Sequence, residues 1–166
     1  VKGRTYRFVT THLEPADVLP GRGIHPDIHQ IQLAQADEVL AAVEDHDGPV
    51  ILTGDLNSEP GGTSTDSYAL MQAAGFVDTW LVGRPRGDGF TANQDADLLN
   101  PESELWHRID FVLYRDAFTA EGGPFRGAVH AERLGEAQED RSVSGLWPSD
   151  HAGVLATLRT SRQRLR

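Results

Sequence analysis

The sequence predicts an α/β layered fold, and three observations carry that prediction. Short runs rich in β-branched and aromatic residues alternate with segments whose apolar residues recur at helical spacing. Clusters of Gly and Pro mark the boundaries between them. The resulting order of strand, helix, strand, helix belongs to sheets and helices packed in layers.

Each element has a local reason. Tyr6 to Leu13 is β-branched and aromatic, hence a strand, and Glu14 to Pro26 is a loop broken by Pro and Gly. Asp27 is a fitting N-cap for a helix whose apolar stripe is Ile28, Ile31, Ala34, Val39, Leu40 and Val43. Gly48-Pro49 ends that helix, and Val50 opens a second strand. A second helix is expected from about Asp66 to Ala74, with Gly75 in the C-terminal cap position. Gly83 to His107 reads as a long loop rich in Gly, Asp, Asn and Pro, a length that in a compact domain is usually functional or disordered. Within it, Trp106 is read as a core anchor rather than a pocket wall. Arg108 to Tyr114 forms a third strand, Ala131 to Ser144 an acidic, mobile loop, and Ala152 to Leu158 a closing strand.

The chemistry sits at strand ends. The apolar run Val50-Ile51-Leu52 stops in Gly54-Asp55-Leu56-Asn57-Ser58, and alternation along an extended segment puts Asp55 and Asn57 on one face. A carboxylate can accept a proton or orient water, and an amide can hydrogen-bond a phosphoryl oxygen. Asp110 interrupts an apolar strand, where an unpaired carboxylate would cost several kcal/mol, so it needs a partner such as histidine. His12 and His151 also stand at strand ends. Taken singly, each position is equally a turn Asp or a satisfied core His. His25 and His29 read as exposed histidines at a helix start, Glu59 as a turn residue, and His46, His107 and His130 as surface or local pairs.

In order, Thr11-His12-Leu13, Gly54-Asp55-Leu56-Asn57-Ser58, Arg108-Ile109-Asp110 and Ser149-Asp150-His151 resemble the motifs of the endonuclease/exonuclease/phosphatase superfamily, whose fold is that of DNase I. The segment from Phe90 to Pro101 also resembles one in some bacterial members, where it would be a substrate-side loop. The resemblance implies part of a four-layer α/β sandwich and a metal-dependent phosphoesterase that uses water as nucleophile. It casts Asp55 as the residue that orients or deprotonates that water and Asn57 as a phosphate ligand. Asp110 and His151 become a carboxylate–histidine dyad, Asp150 a metal ligand, and His12 a stabiliser of charge on the phosphoryl oxygens. Mg²⁺ suits such a site, with Mn²⁺ or Ca²⁺ as alternatives, because hard cations prefer oxygen ligands.

A full member opens with a strand carrying Asn and another carrying a metal-binding Glu, and here Thr11-His12-Leu13 comes first. Residues 1–160 are therefore expected to match the C-terminal portion of such a domain, with 161–166 a basic tail. Standing alone, this portion is expected to be inactive or weakly active, and to self-associate through the face the absent strands would cover. The alternative is a non-catalytic member or fragment acting as a binding module. An unrelated ligand-binding α/β domain is the third reading.

Composition narrows the partners. With 39% hydrophobic and 24% charged residues the chain is ordinary for a soluble domain, secreted or cytoplasmic. The absence of cysteine excludes disulfides, thiol catalysis and thiolate zinc sites. A formal net charge of −10 repels polyanions at long range, which disfavours a dedicated DNA nuclease. The expected substrates are a phosphorylated small molecule, a phospholipid or a nucleic acid.

Overall fold

Three of the apolar runs lie side by side in one mixed sheet. The computed structural model describes residues 5–15, 18–19, 23–24, 26–61, 65–83, 85, 87–115 and 129–158. Its elements are β1 (Arg7–His12), β2 (Val18–Leu19), β3 (Gly23–Ile24), α1 (Pro26–Glu44), β4 (Val50–Asp55), α2 (Ser67–Ala73), β5 (Val77–Asp78), α3 (Thr79–Gly83), β6 (Asp110–Arg115), β7 (Val129–Leu134) and β8 (Gly153–Leu158). The main sheet runs β1-β4-β6-β5, with β1 parallel to β4 and β6 antiparallel to both its neighbours. Parallel neighbours need a long crossover, and α1 supplies it between β1 and β4.

Helices α1 and α2 pack on one face of this sheet. Val50, Leu52, Phe111 and Leu113 share a core with Ala36 and Val43 of α1 and with Tyr68 and Met71 of α2. The opposite face of edge strand β1 is open, and Phe8 on it is 70% exposed. A second sheet pairs β7 with β8; β8 lies against β6, and β7 lies against α3.

Several expectations change here. α1 begins at Pro26, so Asp27 lies in its first turn rather than at the cap; proline suits the first helical position because its missing N–H has no helical acceptor to lose. Of the expected stripe, Ile31 and Ala34 are exposed, whereas Gln32 and Ala36 are buried. Ala131 to Ser144 is not one loop: its first residues complete β7, which ends at Leu134. Pairing with β8 makes that strand, and its polar residues His130 and Glu132 hid it. Gly75 does close α2, with φ +87° and its N–H donating to the Gln72 carbonyl at 3.0 Å. His25, the 161–166 tail and part of the Glu14 to Pro26 loop lie outside the described residues, and the rest of that loop is not all irregular, since β2 pairs with β3 in antiparallel register. No described helix is long and apolar enough to cross a membrane.

The start of β6 is anchored by a buried ion pair. Arg108 Nη1 donates to Asp78 Oδ2 at 2.7 Å, Tyr68 Oη donates to the same oxygen at 2.9 Å, and the Trp80 N–H donates to Asp78 Oδ1. Removing one partner from such a pair typically costs about 3–5 kcal/mol. The arginine of Arg108-Ile109-Asp110 thus serves the scaffold that carries Asp110.

Candidate active site

Register alone brings three of the polar strand ends together. His12 pairs with Asp55, and Asp55 pairs with Asp110, across adjacent strands β1, β4 and β6. Directly paired residues point to one face with Cβ atoms about 5 Å apart, so these side chains form a row at the sheet rim. His12 Nε2 lies 3.5 Å from Asp55 Oδ2, with the imidazole 70% exposed. Gly54 permits this close approach of β1 and β4. Its φ is +141°, and a Cβ there would sit 1.8 Å from the Thr11 carbonyl oxygen.

His151 reaches the row from the segment just before β8, where it bridges Ala92. Its Nδ1–H donates to Asp110 Oδ2 at 2.9 Å, which leaves Nε2 as the outward nitrogen. The segment around Thr91 holds the two partners at that distance. Thr91 Oγ1, fully buried, accepts the N–H groups of Asp110 (3.1 Å) and Ile109 (3.3 Å). The Thr91 carbonyl accepts the Ala152 N–H at 2.7 Å, and the N–H groups of Asn93 and Gln94 both donate to the Asp150 carbonyl. The Gly83 to His107 loop is therefore zipped between the starts of β6 and β8.

The electrostatics follow from burial and proximity. Burial pushes the Asp55 carboxyl above the usual carboxylate range; the Asn57 N–H donated to its Oδ1 at 2.7 Å pulls back, and the negative Asp110 adds to the rise. His151 is raised chiefly by its hydrogen bond to Asp110, against burial, with the charges of Asp110, Asp55 and Asp150 adding. Asp55, Asp110 and His151 each offer a ligand atom within 4.8 Å of the others. Two carboxylates at such spacing, one already pushed toward its neutral form, are a donor set that a cation would relieve. These residues fit a metal ion.

Asn57 and Asp150 stand differently. Asn57 adopts a left-handed φ of +46°, and its amide Nδ2 donates to the Leu13 carbonyl at 2.9 Å, tying the turn after β4 to the end of β1. Asp150 is exposed beside His151, its carboxylate outside the three-residue group. Trp106 is not a core anchor. It is 56% exposed, and its ring contacts the His107 imidazole, because its backbone belongs to the ladder that pairs Ala92 with His107. His107 is locally paired as expected: its Nδ1 lies 2.7 Å from Glu59 Oε1. His29 lies 3.5 Å from Asp66.

Two residues escaped the sequence reading. Gln32 is fully buried beneath the site; its Nε2 donates to the carbonyls of Glu14 (2.8 Å) and Asn57 (3.1 Å), and its Oε1 accepts from Thr65 and Ser67. The spacing of Ile28, Gln32, Ala36, Val39 and Val43 carried that signal, had the stripe admitted a polar member. Thr91 had no periodic signal, since it lies in a loop.

Comparison with known proteins bears on the fold and the family. The chain resembles the 3′-5′ exonuclease (NExo) from Neisseria meningitidis, at 20% identity and TM-score 0.64, over 90% of this chain and 60% of that one. Humanized D. rerio TDP2 matches at 23% identity and TM-score 0.60, over 92% and 55%. D. rerio TDP2 complexed with single strand DNA product matches at 22% and 0.56, over 88% and 53%. At these identities the likeness shows the fold, which is DNase I-like, and the chain spans about half the length of these structures. The comparison with curated proteins gave no match. The model of the Endonuclease/Exonuclease/phosphatase family matches residues 2–151, and the chain belongs to that family.

Proposed function

We infer that this chain carries the water-activating centre of a metal-dependent phosphoesterase. The observation behind this reading is the convergence of Asp55, Asp110 and His151 within 4.8 Å, from three distant segments, with His12 beside them. Hydrolysis needs a placed water, a proton acceptor and positive charge at the non-bridging oxygens. Asp55, half-buried and raised in pKa, orients the water and takes its proton as the water oxygen bonds to phosphorus; the ester P–O bond on the opposite side breaks, and the leaving oxygen takes up a proton from solvent. His151, held by Asp110 and favoured in its charged form, faces the phosphoryl oxygens, and exposed His12 adds charge beside it. Asn57 contributes its remaining amide N–H to the same oxygens.

Asp110, with Asp55 beside it, belongs to the group that would hold a divalent ion, and Asp150, exposed next to His151 and outside that group, is the further oxygen donor the family resemblance assigns to the metal. Mg²⁺, or Mn²⁺ or Ca²⁺ in its place, would act as a Lewis acid on the phosphoryl oxygen. The net charge of −10 supports a small phosphodiester or a phospholipid over duplex DNA. The structural likeness to TDP2 complexed with single strand DNA product keeps nucleic acid among the candidate substrates.

The test is hydrolysis of bis-p-nitrophenyl phosphate with Mg²⁺ and with EDTA. Turnover that EDTA abolishes, even if slow, supports the assignment. Turnover indifferent to EDTA overturns it. Metal-dependent binding of the ester without turnover gives the binding-module alternative instead.

A further inference from the structure

The core side of α1 carries Ala36, Val43 and the amide of Gln32, which is fully buried. Its Nε2 donates to the Glu14 carbonyl at 2.8 Å and to the Asn57 carbonyl at 3.1 Å, and its Oε1 accepts from Thr65 and, at 2.7 Å, from Ser67. A side-chain amide has two N–H donors and two acceptor sites, so these four bonds saturate it. All four reach segments outside α1. Two end in the loops that carry the site: Glu14 follows β1 and His12, and Asn57 follows β4 and Asp55. Gln35, almost one turn further along α1, accepts the Glu14 N–H at 2.7 Å, so the helix holds both backbone groups of that residue.

Asn57 is where this brace meets the chemistry. Its φ of +46° is a strained conformation that persists only where the surroundings fix it. The next residue is already pinned: Ser58 Oγ donates to the Thr65 carbonyl at 2.7 Å and accepts the Tyr68 N–H at 3.0 Å. The Asn57 N–H donates to Asp55 Oδ1 at 2.7 Å, which sets the rotation of that carboxylate and leaves Oδ2 on the side of His12. The N–H and C=O of Asn57 are joined only through its own φ and ψ, so holding the carbonyl holds the N–H. Resting on the phosphoesterase reading, we propose that Gln32 is a positioning residue for Asp55: it grips the Asn57 carbonyl and so fixes the turn whose N–H aims the Asp55 carboxylate at the attacking water. Its bond to Glu14 ties the end of β1, and with it His12, to the same brace. A buried apolar side chain would fill this position of α1 but could bind neither carbonyl.

The experiment compares the intact chain with Gln32→Met, which keeps the volume and removes all four bonds, and Gln32→Glu, which keeps the shape and loses both donors. Val43→Ala is the stability control, a cavity on the same side of α1 that leaves the turn untouched. The first readout is the amide NMR spectrum in EDTA. In both Gln32 variants the Asn57 N–H should shift and exchange about tenfold faster or more, while the Leu113 N–H in the main sheet keeps its shift; in Val43→Ala the Asn57 signal should stay in place. The second readout is Mg²⁺-dependent hydrolysis of bis-p-nitrophenyl phosphate. A misaimed carboxylate acts on the chemical step, so kcat should fall about tenfold or more with KM within about twofold, and Val43→Ala should retain both. If Gln32→Met fails to fold, Gln32→Glu carries the comparison. An Asn57 signal that stays in place in the Gln32 variants overturns the positioning role and leaves the phosphoesterase reading intact. A shifted signal with unchanged kcat, or an equal loss of kcat in Val43→Ala, overturns it too and makes Gln32 a brace of the fold alone. A wild-type chain without Mg²⁺-dependent turnover removes the phosphoesterase reading and this role with it.

Discussion

Asp55 is held in a state that the fold itself disfavours. Burial and Asp110 both act against its charge, and a carboxylate poised upward is a better proton acceptor than one in water. Asp55→Asn removes that charge while an amide oxygen can still accept the Asn57 N–H. The expected outcome is a loss of hydrolysis by about 10²-fold or more with the melting temperature unchanged or raised. Activity assay and thermal denaturation of the same sample check it, and a variant with wild-type turnover would reject the role. His151 makes the opposite bargain with pH. Its folded pKa lies above the unfolded value, so its protonated form stabilises the fold fully below the unfolded pKa, about 6.5. That stability is lost as pH rises through the folded pKa. In metal-free buffer, His151→Gln should remove this part of the pH dependence, visible in denaturant midpoints measured from pH 5 to 9.

At the scale of elements, the site depends on what joins strands rather than on the strands alone. Thr91 supplies an acceptor where the ladder has none, taking the N–H of Ile109 just before β6 and that of Asp110, its first residue. Thr91→Val keeps the shape and leaves both N–H groups buried without that acceptor, at an expected cost of about 1–3 kcal/mol. The Asp110–His151 contact should loosen, so the His151 ring titrates closer to its ordinary value, and Thr91→Ser should recover both properties. Chemical denaturation and NMR titration read the two effects separately. This is also where the sequence stopped being legible. β1, β4, β6 and β8 were readable because apolar, β-branched runs announce strands, and the polar residue at or beside one end of each run marked the candidate site. β7 was not, because Val129, Ala131 and Arg133 make a weak alternation that only pairing with the distant β8 turns into a strand. Gln32 and Thr91 were missed and Trp106 was misjudged for one reason. Residue type predicts burial on average, whereas backbone hydrogen bonds decided it here: buried carbonyls drew Gln32 inward, and the Ala92–His107 ladder held Trp106 out.

For the whole molecule, the two faces of the main sheet are treated unequally. One is sealed by α1 and α2; on the other, β1 presents Phe8, Thr10 and His12 outward, and β1 is also an end strand of the sheet order. An open edge carrying a large apolar side chain offers unpaired backbone groups and apolar surface together, the combination that natural sheets usually blunt with charge. Phe8, at 70% exposure, has no such protection on its own face of the strand. The expected behaviour is association that grows with concentration, read as a rising sedimentation coefficient. Phe8→Lys should shift it toward monomer without lowering the melting temperature, since the side chain removed is already outside the core. A wild-type chain that sediments as one monomeric species at high concentration would show that this face is tolerated in water. Association that persists unchanged in Phe8→Lys would assign it to another surface.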